Sequence, residues 1–305
     1  MKRTALVVAC AALLLGAQSL LAQWPAFVPP GTPRAADGSV DMNAPAPRTP
    51  DGKIDFSGVW QTAGGGGRGR GGRAGAPGGG AGGRGAADAT APVAPGGSLF
   101  GDIGAQTPGG APYLPWAAEL VKQRMADGSK DNPDAHCLPL GILQNTTHPF
   151  PKKILQTPSE LILIYEGSGT TVREVYLDGR TLPDPDAQPW YQGYSVGRWE
   201  GDTLVVETSN FIDDDTWTTW LDVRGSPLSQ HGKLTERIRR PSFGTLEIEV
   251  TIDDPKVYTR PFTAAINSRL LPDTQLIEFV CIDKSAQHYV GATGVPDAVP
   301  SEQKR

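Results

Sequence analysis

The chain has 305 residues, among them 38 Gly and 28 Pro, and a formal net charge of −5. This length can hold one large domain or two small ones. Without the two basic residues near the N-terminus and the four arginines of the Gly64–Gly85 tract, the remainder has a charge near −11. A body this acidic argues against nucleic acid or an anionic lipid surface as a partner.

The first 22 residues are predicted to be a secretory signal peptide. Two basic residues precede an apolar run from Ala5 to Gly16, and Ala22 offers a small residue for cleavage. The run is too short to span a membrane, and no later segment approaches the length of a span. A lipid-attachment site at Cys10 is the alternative. We therefore expect a periplasmic or secreted protein without a membrane span.

Composition divides the rest of the chain. The Pro-rich start lacks periodicity, whereas the Gly64–Gly85 tract has few apolar groups to offset the entropy of ordering. Its Arg-Gly repeats are similar to RNA-binding segments, but in an exported chain we favour a solvated linker. The predicted organisation is a signal peptide at 1–22, an extended N-terminal arm at 23–50, the first strand of a barrel at 51–62, a Gly/Arg/Pro-rich flexible segment at 63–112, a helix plus an antiparallel β-barrel domain at 113–290, and a flexible tail at 291–305.

One helix is predicted, at 115–126, where apolar residues recur at helical spacing and Gly128 stands where a C-terminal cap belongs. Export would leave two thiols, Cys137 and Cys281, in an oxidising compartment. This predicts one disulfide that closes a long loop. Two unrelated buried thiols are the alternative.

Short strands separated by turn residues fill the chain after residue 150. Many such strands with a single helix predict a mainly β fold, an antiparallel barrel, with a β-sandwich as the alternative. The predicted strands lie near 153–157, 160–166, 171–178, 193–199, 203–209, 216–222, 232–240, 245–253, 260–270 and 275–283.

Two hairpins are specified in detail. Gly193–Thr208 alternates at strand period on both sides of a turn at Gly201. In the second hairpin, a register that pairs Ile238 with Ile248 also matches opposite charges on the other face. These charge pairs are Arg237 with Glu249 and Arg239 with Glu247. The same register leaves Glu236 on the apolar side, where a carboxylate needs a partner.

Several motifs resemble those of a known group of sequences: Asp55–Trp60, Cys137–Gly141, Tyr176–Arg180, Gly197–Thr208, Glu236–Arg237 and Thr251–Pro255. Similar motifs occur in a large family of exported bacterial proteins that are usually described only as hypothetical. The resemblance covers most of residues 51–283 and implies no defined activity. Related sequences tend to carry His where this chain has Tyr194.

A second resemblance concerns Gly58 and Trp60 in the first strand, which are similar to the first-strand signature of lipocalins. In that family the Trp packs across the closed end of an eight-stranded up-and-down barrel, often under an Arg. The resemblance implies a lipocalin-like barrel.

No strong catalytic, nucleotide-binding or metal-binding motif is present in the sequence. The four histidines are scattered, and none stands at ligand spacing from another, so neither a metal site nor a cofactor is predicted. Surface or capping roles are expected for His136, His148, His231 and His288.

Polar and aromatic side chains on consecutive strands are instead expected to line one cavity. The alternative is that Arg and Glu form outward cross-strand pairs while the aromatic rings fill the core. Within the cavity, Tyr176, Tyr194, Arg198 and Glu236 should approach one another. The candidate ligand-binding residues are Arg173, Tyr176, Trp190, Tyr194, Arg198, Trp199 and Glu236, and the candidate catalytic residues are Glu236, Glu207, Tyr194 and His231.

We favour a lipocalin-like binding protein for a small amphipathic or aromatic molecule, which predicts a cavity with more apolar than ionisable lining. One alternative is a periplasmic lyase, isomerase or hydrolase that uses a buried carboxylate as base, with Arg or Tyr stabilising an oxyanion. Another is a structural envelope protein with a solid barrel. The sequence leaves the ligand and the oligomeric state open.

Overall fold

The computed structural model describes residues 27–62, 98–167, 171–213, 218–279 and 281. The predicted signal peptide, the Gly64–Gly85 tract and the predicted tail lie outside these residues. The strands are β1 (Gly58–Thr62), β2 (Lys152–Gln156), β3 (Glu160–Tyr165), β4 (Val172–Tyr176), β5 (Tyr194–Glu200), β6 (Thr203–Ser209), β7 (Thr219–Trp220), β8 (Pro227–Leu228), β9 (Lys233–Ser242), β10 (Thr245–Asp253) and β11 (Phe262–Leu270). The helices are α1 (Pro115–Ala126), a 3-10 helix (Pro133–His136) and α2 (Ile142–Thr147).

Nine strands form a closed barrel, which confirms the predicted lipocalin-like fold class. Their order around the barrel is β1-β11-β10-β9-β6-β5-β4-β3-β2, and β1 closes it by pairing with β2. All neighbours are antiparallel except β4 and β5. The connection at 177–193 is long enough to return the chain to the end at which β4 began, as parallel pairing requires. The barrel thus departs from a strict up-and-down order at one pair, and it has one strand more than the lipocalin signature implied.

The register of both predicted hairpins is confirmed. In the β5–β6 hairpin Glu200 faces Thr203, and Gly201 adopts a φ of 60° in the turn. In the β9–β10 hairpin Ile238 faces Ile248. The arginines of β9 face the glutamates of β10 in the predicted order, Arg237 with Glu249 and Arg239 with Glu247. Period-two alternation directs the apolar side chains of every long strand into a common core inside the barrel.

Closure of the barrel explains why two predicted strands differ from the structure. The predicted strand at 275–283 does not form over residues 271–279. Because β11 already pairs with β10 and β1, the barrel offers no free edge for a further strand. In the described part of the predicted strand at 216–222, residues 218–222, the strand that forms is β7, which pairs with β8 outside the barrel.

One end of the barrel is closed by Trp60, which is fully buried. Its indole Nε1 donates to the carbonyl of Phe56 at 2.9 Å, and the Arg240 guanidinium lies 4.8 Å from the ring centroid. Arg240 is itself buried and donates to the carbonyls of Asp55 and Phe243. This Trp-under-Arg arrangement is the one that the lipocalin resemblance implies.

The N-terminal arm crosses the same end as two successive turns of similar sequence. The first turn is bridged by Arg34 and Val40, and the second, fourteen residues later, by Arg48 and Ile54. In each turn the arginine Nη1 donates to the carbonyl of the Gly four residues on. Arg48 also forms a two-nitrogen ion pair with Asp202, in the β5–β6 turn, at 2.7 and 2.9 Å. The arm is therefore anchored to the barrel rather than merely extended.

The opposite end is covered by residues that the sequence analysis did not place there. α2 is fully buried, although its Gln-Asn-Thr-Thr sequence carries no apolar periodicity. Residues 98–112 were assigned to the flexible segment, yet Ile103 has no exposed surface and donates its backbone N–H to Asp222 at 2.7 Å. The predicted helix α1 does form at 115–126, with Gly128 at positive φ just after it.

Candidate functional site

The structure does not gather the predicted site residues into one cavity. Arg173 and Glu236 point into the barrel, and Tyr176, Trp190 and Tyr194 form a cluster on its outer side. The remaining candidates lie elsewhere on the surface or at the closed end: Arg198, Trp199, Glu207 and His231.

Arg173 and Glu236 form an ion pair inside the barrel, with each side chain only 1% exposed. The Arg173 Nη1 atom donates to Glu236 Oε1 at 3.2 Å, and Nη2 makes a second, shorter bond to Oε2. The remaining donors of Arg173 reach the hydroxyls of Ser195 and Thr208 at 3.2 and 3.1 Å. The inward carboxylate of β9 thus has the partner that its position requires, and that partner is an Arg of β4.

Lys152 is a second buried cation in the same interior. Its ammonium group donates to the hydroxyl of Thr62 at 2.8 Å, and to the carbonyl of Thr146 and the hydroxyl of Ser268, both at 3.1 Å. Burial lowers the pKa of Lys152 to about 7, although the nearby Glu236 charge favours its protonated form. The hydrogen bond to Thr146 joins the barrel wall to α2.

The other predicted charged residues face solvent. Arg198 is paired with Glu200 at 3.3 Å and with Glu207 at 3.5 Å, and Lys233 also contacts Glu207 at 3.3 Å. These outward pairs, one within β5 and two between neighbouring strands, are of modest strength. Arg198 and Glu236 therefore lie on opposite faces of the barrel wall, and the predicted approach of these two residues is not observed.

Two other candidates lie at opposite ends of the barrel. Trp199 stacks on Phe56 at the closed end, with ring centroids 5.6 Å apart. His231 is exposed in the turn before β9. Among the described residues no group of three His, Cys, Asp or Glu could hold a metal ion.

The aromatic cluster on the outer wall does unite three predicted residues. Tyr194 lies between Trp190 and Tyr176, with ring centroids 5.3 and 5.2 Å apart. Arg180, which the sequence analysis did not single out, stacks over the Tyr176 ring at 3.8 Å and donates to the Tyr194 hydroxyl at 3.1 Å. Both tyrosines face outward because they share strand parity with Val196, whereas Ser195 faces inward.

A groove of about 880 Å³ lies on the outer face of the barrel beside β1, β2 and β3. Its floor includes Val59, Lys153 and Ile164, which follow one another across the three strands in register. One wall is the start of the N-terminal arm, at 27–32, and the other is the segment after β11, at 271–278. The backbone N–H groups of Leu271 and Ile277 hold that segment in place through the carbonyl of Val59 and the carboxylate of Glu166.

The groove lining is mostly apolar. Of its 22 lining residues, four are ionisable: Asp55, Lys153, Arg240 and Glu278. The Arg240 guanidinium is engaged by backbone carbonyls of the closed end. The Lys153 ammonium and the Glu278 carboxylate make no hydrogen bond or ion pair with other described residues. The groove therefore combines a long apolar surface with charged groups that remain available.

Cys137 and Cys281 are joined by a disulfide, with their Cα atoms 5.4 Å apart, which confirms the predicted pairing. It links the segment between the 3-10 helix and α2 to the far end of the segment that lines the groove. Within the described ranges, no helix is long and apolar enough to cross a membrane.

Some interior residues were missed by sequence reasoning although a signal was present. Lys152 shares strand parity with the buried Ile154, but the predicted strand began one residue later. Ser195 and Thr208 are small polar residues at inward positions of β5 and β6, and their hydroxyls accept hydrogen bonds from Arg173. Tyr165 ends β3 inside the barrel, and burial raises the pKa of its hydroxyl.

The fold and its closed end define a lipocalin-like β-barrel protein with an external groove. Comparison of the chain with protein-family models, with curated proteins and with solved structures returned no match.

Proposed function

We propose that this protein binds a small amphipathic molecule in the groove beside β1, β2 and β3. The observation that carries the proposal is the combination of volume and lining. A space of about 880 Å³ falls within the range of small-molecule sites, and such sites are predominantly apolar with a few polar groups that fix orientation. The mostly apolar lining supports a binding role, although the groove lies on the outer face of the barrel and not in its interior as predicted.

The charges of the groove suggest how a ligand is oriented. Lys153 is the cation on the floor without a partner among the described residues, and it stands between the apolar side chains of Val59 and Ile164. An acidic group of the ligand would pair with Lys153 while its apolar part covers Ile164 and Leu276. The ligand class is accordingly a small amphipathic anion.

The buried carboxylate gives less support to an enzyme. Glu236 is fully buried, and both of its oxygens accept hydrogen bonds from Arg173. A substrate would have to enter the barrel and displace a guanidinium before this carboxylate could act as a base. The disulfide supports a place of action in an oxidising compartment, such as the periplasm or the outside of the cell.

The proposal is tested with the amphipathic fluorescent anion 1-anilinonaphthalene-8-sulfonate, which is titrated into Ile164→Glu and Val172→Glu variants. The two residues face each other in register on the outer wall, but only Ile164 lines the groove. A carboxylate on the floor should repel the anion, so we expect at least about a tenfold loss of affinity in Ile164→Glu. Val172→Glu should bind like the wild type.

Lys153→Met provides the test of ligand charge. It keeps an apolar side chain of similar length but removes the cation, so affinity for the anion should fall while affinity for the uncharged probe N-phenyl-1-naphthylamine stays the same. Equal affinity of all three variants for both probes would show that the groove is not the binding site.

A further inference from the structure

The aromatic strip on the outer wall (Trp190, Tyr194 and Tyr176) is a second feature that the groove does not use. It shares no residue with the groove lining. Its rings follow one another at centroid separations of 5.3 and 5.2 Å, and the guanidinium plane of Arg180 continues the row beyond Tyr176. Trp190 is 39% exposed, which is unusual for so large an apolar side chain.

The strip is held rigidly from below. The Trp190 backbone N–H donates to the carbonyl of Asn210 at 2.9 Å, and its carbonyl accepts from Ile212 and Gly193 at 3.0 and 3.1 Å. Gly193 has a φ of +65°, and a Cβ there would lie 2.5 Å from the Phe211 ring. The backbone between Trp190 and β5 is thus fixed, so a ligand would find the rings already in place at little entropic cost.

The polar groups beside the strip are largely acceptors. Glu174 accepts the Tyr176 hydroxyl through Oε2 at 3.0 Å, and its Oε1 has no donor among the described residues. Asp178 follows β4 and is paired with Arg180. The indole N–H of Trp190 likewise has no acceptor in the described part of the chain. A ligand that lies along these rings is therefore offered flat apolar surfaces, an open carboxylate oxygen and one free N–H donor.

We infer that the aromatic strip is a binding surface for a neutral saccharide chain. Sugar rings present C–H faces that pack on aromatic rings, while their hydroxyls serve as both donors and acceptors for the groups at the edge. The acidic charge of the protein disfavours a nucleic acid, although bases also stack on aromatic side chains. A Pro-rich peptide matches less well, because proline lacks an N–H and would leave the Glu174 oxygen unpaired.

The experiment uses native affinity gels that contain hydroxyethyl cellulose, a soluble neutral β-glucan, or dextrin, a neutral α-glucan. The wild-type protein should be retarded by at least one of these two polymers. Trp190→Ala should weaken that binding about tenfold or more, since an exposed aromatic anchor carries much of the contact. The free energy of unfolding of Trp190→Ala, measured beside that of the wild type, separates loss of stacking from loss of the fold.

Trp116→Ala is the matched control. Trp116 is 51% exposed on α1, away from the strip, and its removal should leave retardation unchanged. The inference is overturned if neither polymer retards the wild type, or if Trp190→Ala binds as tightly as the wild type. It is also overturned if a polyproline peptide, followed by tryptophan fluorescence, binds in a Trp190-dependent manner while the two glucans do not.

Discussion

Replacing Lys152 with Met should change how the stability of the barrel depends on pH. Burial lowers the pKa of Lys152 from 10.5 to about 7, so between pH 7 and 9 the unfolded chain binds a proton that the folded chain does not. The free energy of unfolding must therefore rise with pH in this window. The full slope for one proton is about 1.4 kcal/mol per pH unit, and it is smaller near pH 7, where Lys152 of the folded chain is still partly protonated. The total rise between pH 7 and 9 is roughly 2 kcal/mol. The Met variant should lose this rise.

The surroundings of Lys152 make the substitution a fair test. The Thr62 hydroxyl also donates to the Thr146 carbonyl at 2.8 Å and lies 3.4 Å from the Ser268 hydroxyl, so these groups keep partners without the ammonium. Other shifted groups titrate outside the window. Burial lowers the pKa of His148, which takes its titration below the ordinary value of 6.5, and raises the pKa of the buried Tyr258 well above 10.

The assay is urea unfolding of the wild type, Lys152→Met and Lys153→Met at pH 7, 8 and 9. Lys153 is adjacent in sequence but exposed, so its replacement should leave the pH dependence intact. The reasoning is refuted if wild-type stability is flat or falls between pH 7 and 9, or if Lys152→Met keeps the same slope as the wild type.

Three further changes test the rest of the framework by the same unfolding measurement. Glu236→Gln leaves Arg173 as a buried charge without its counterion and should cost about 3 to 5 kcal/mol of unfolding free energy. The double variant Arg173→Met with Glu236→Leu should recover a large part of that stability. Equal losses in the single and double variants would contradict the pairing. Trp60→Ala should cost about 3 to 5 kcal/mol through the cavity at the closed end, and a loss below about 1 kcal/mol would contradict that packing. Cys137→Ser should cost about 5 kcal/mol for a loop of this length. Peptide mapping without reductant should recover Cys137 and Cys281 joined in the wild type, and two free thiols there would refute the bridge.

Local patterns in the sequence were sufficient for the two hairpins. The alternation around Ile238 and Ile248 specifies one register, because a slip by one residue would bury the arginines and glutamates of the other face. The closed end was predicted differently, from the resemblance of Gly58 and Trp60 to the first-strand signature of lipocalins. Hairpin register could be predicted because it depends on residues that are close in sequence.

Long-range features could not be read in this way. The parallel pairing of β4 and β5 depends on the path of the connection at 177–193, and no periodicity records that path. α2 was missed because four of its six buried residues are polar, so its sequence has no apolar stripe at helical spacing. The residues of the predicted site do not meet because Arg173 points into the barrel from β4, whereas Arg198 points outward from β5. Which side chains point inward could be decided only from the register of the two strands.

The position of β1 has a consequence for how the barrel is assembled. Among the described residues, β1 alone pairs with both β2 and β11, and residues 63–151 separate it from β2 in the chain. We expect β1 to be inserted late in folding, since a long loop must close before its contacts form. A fragment that begins after residue 62 would lack β1 and would form an open sheet of eight strands. A synthetic peptide that contains the N-terminal arm and β1 would fill the gap between β2 and β11. Closure of the barrel would then report the association of the peptide with the fragment.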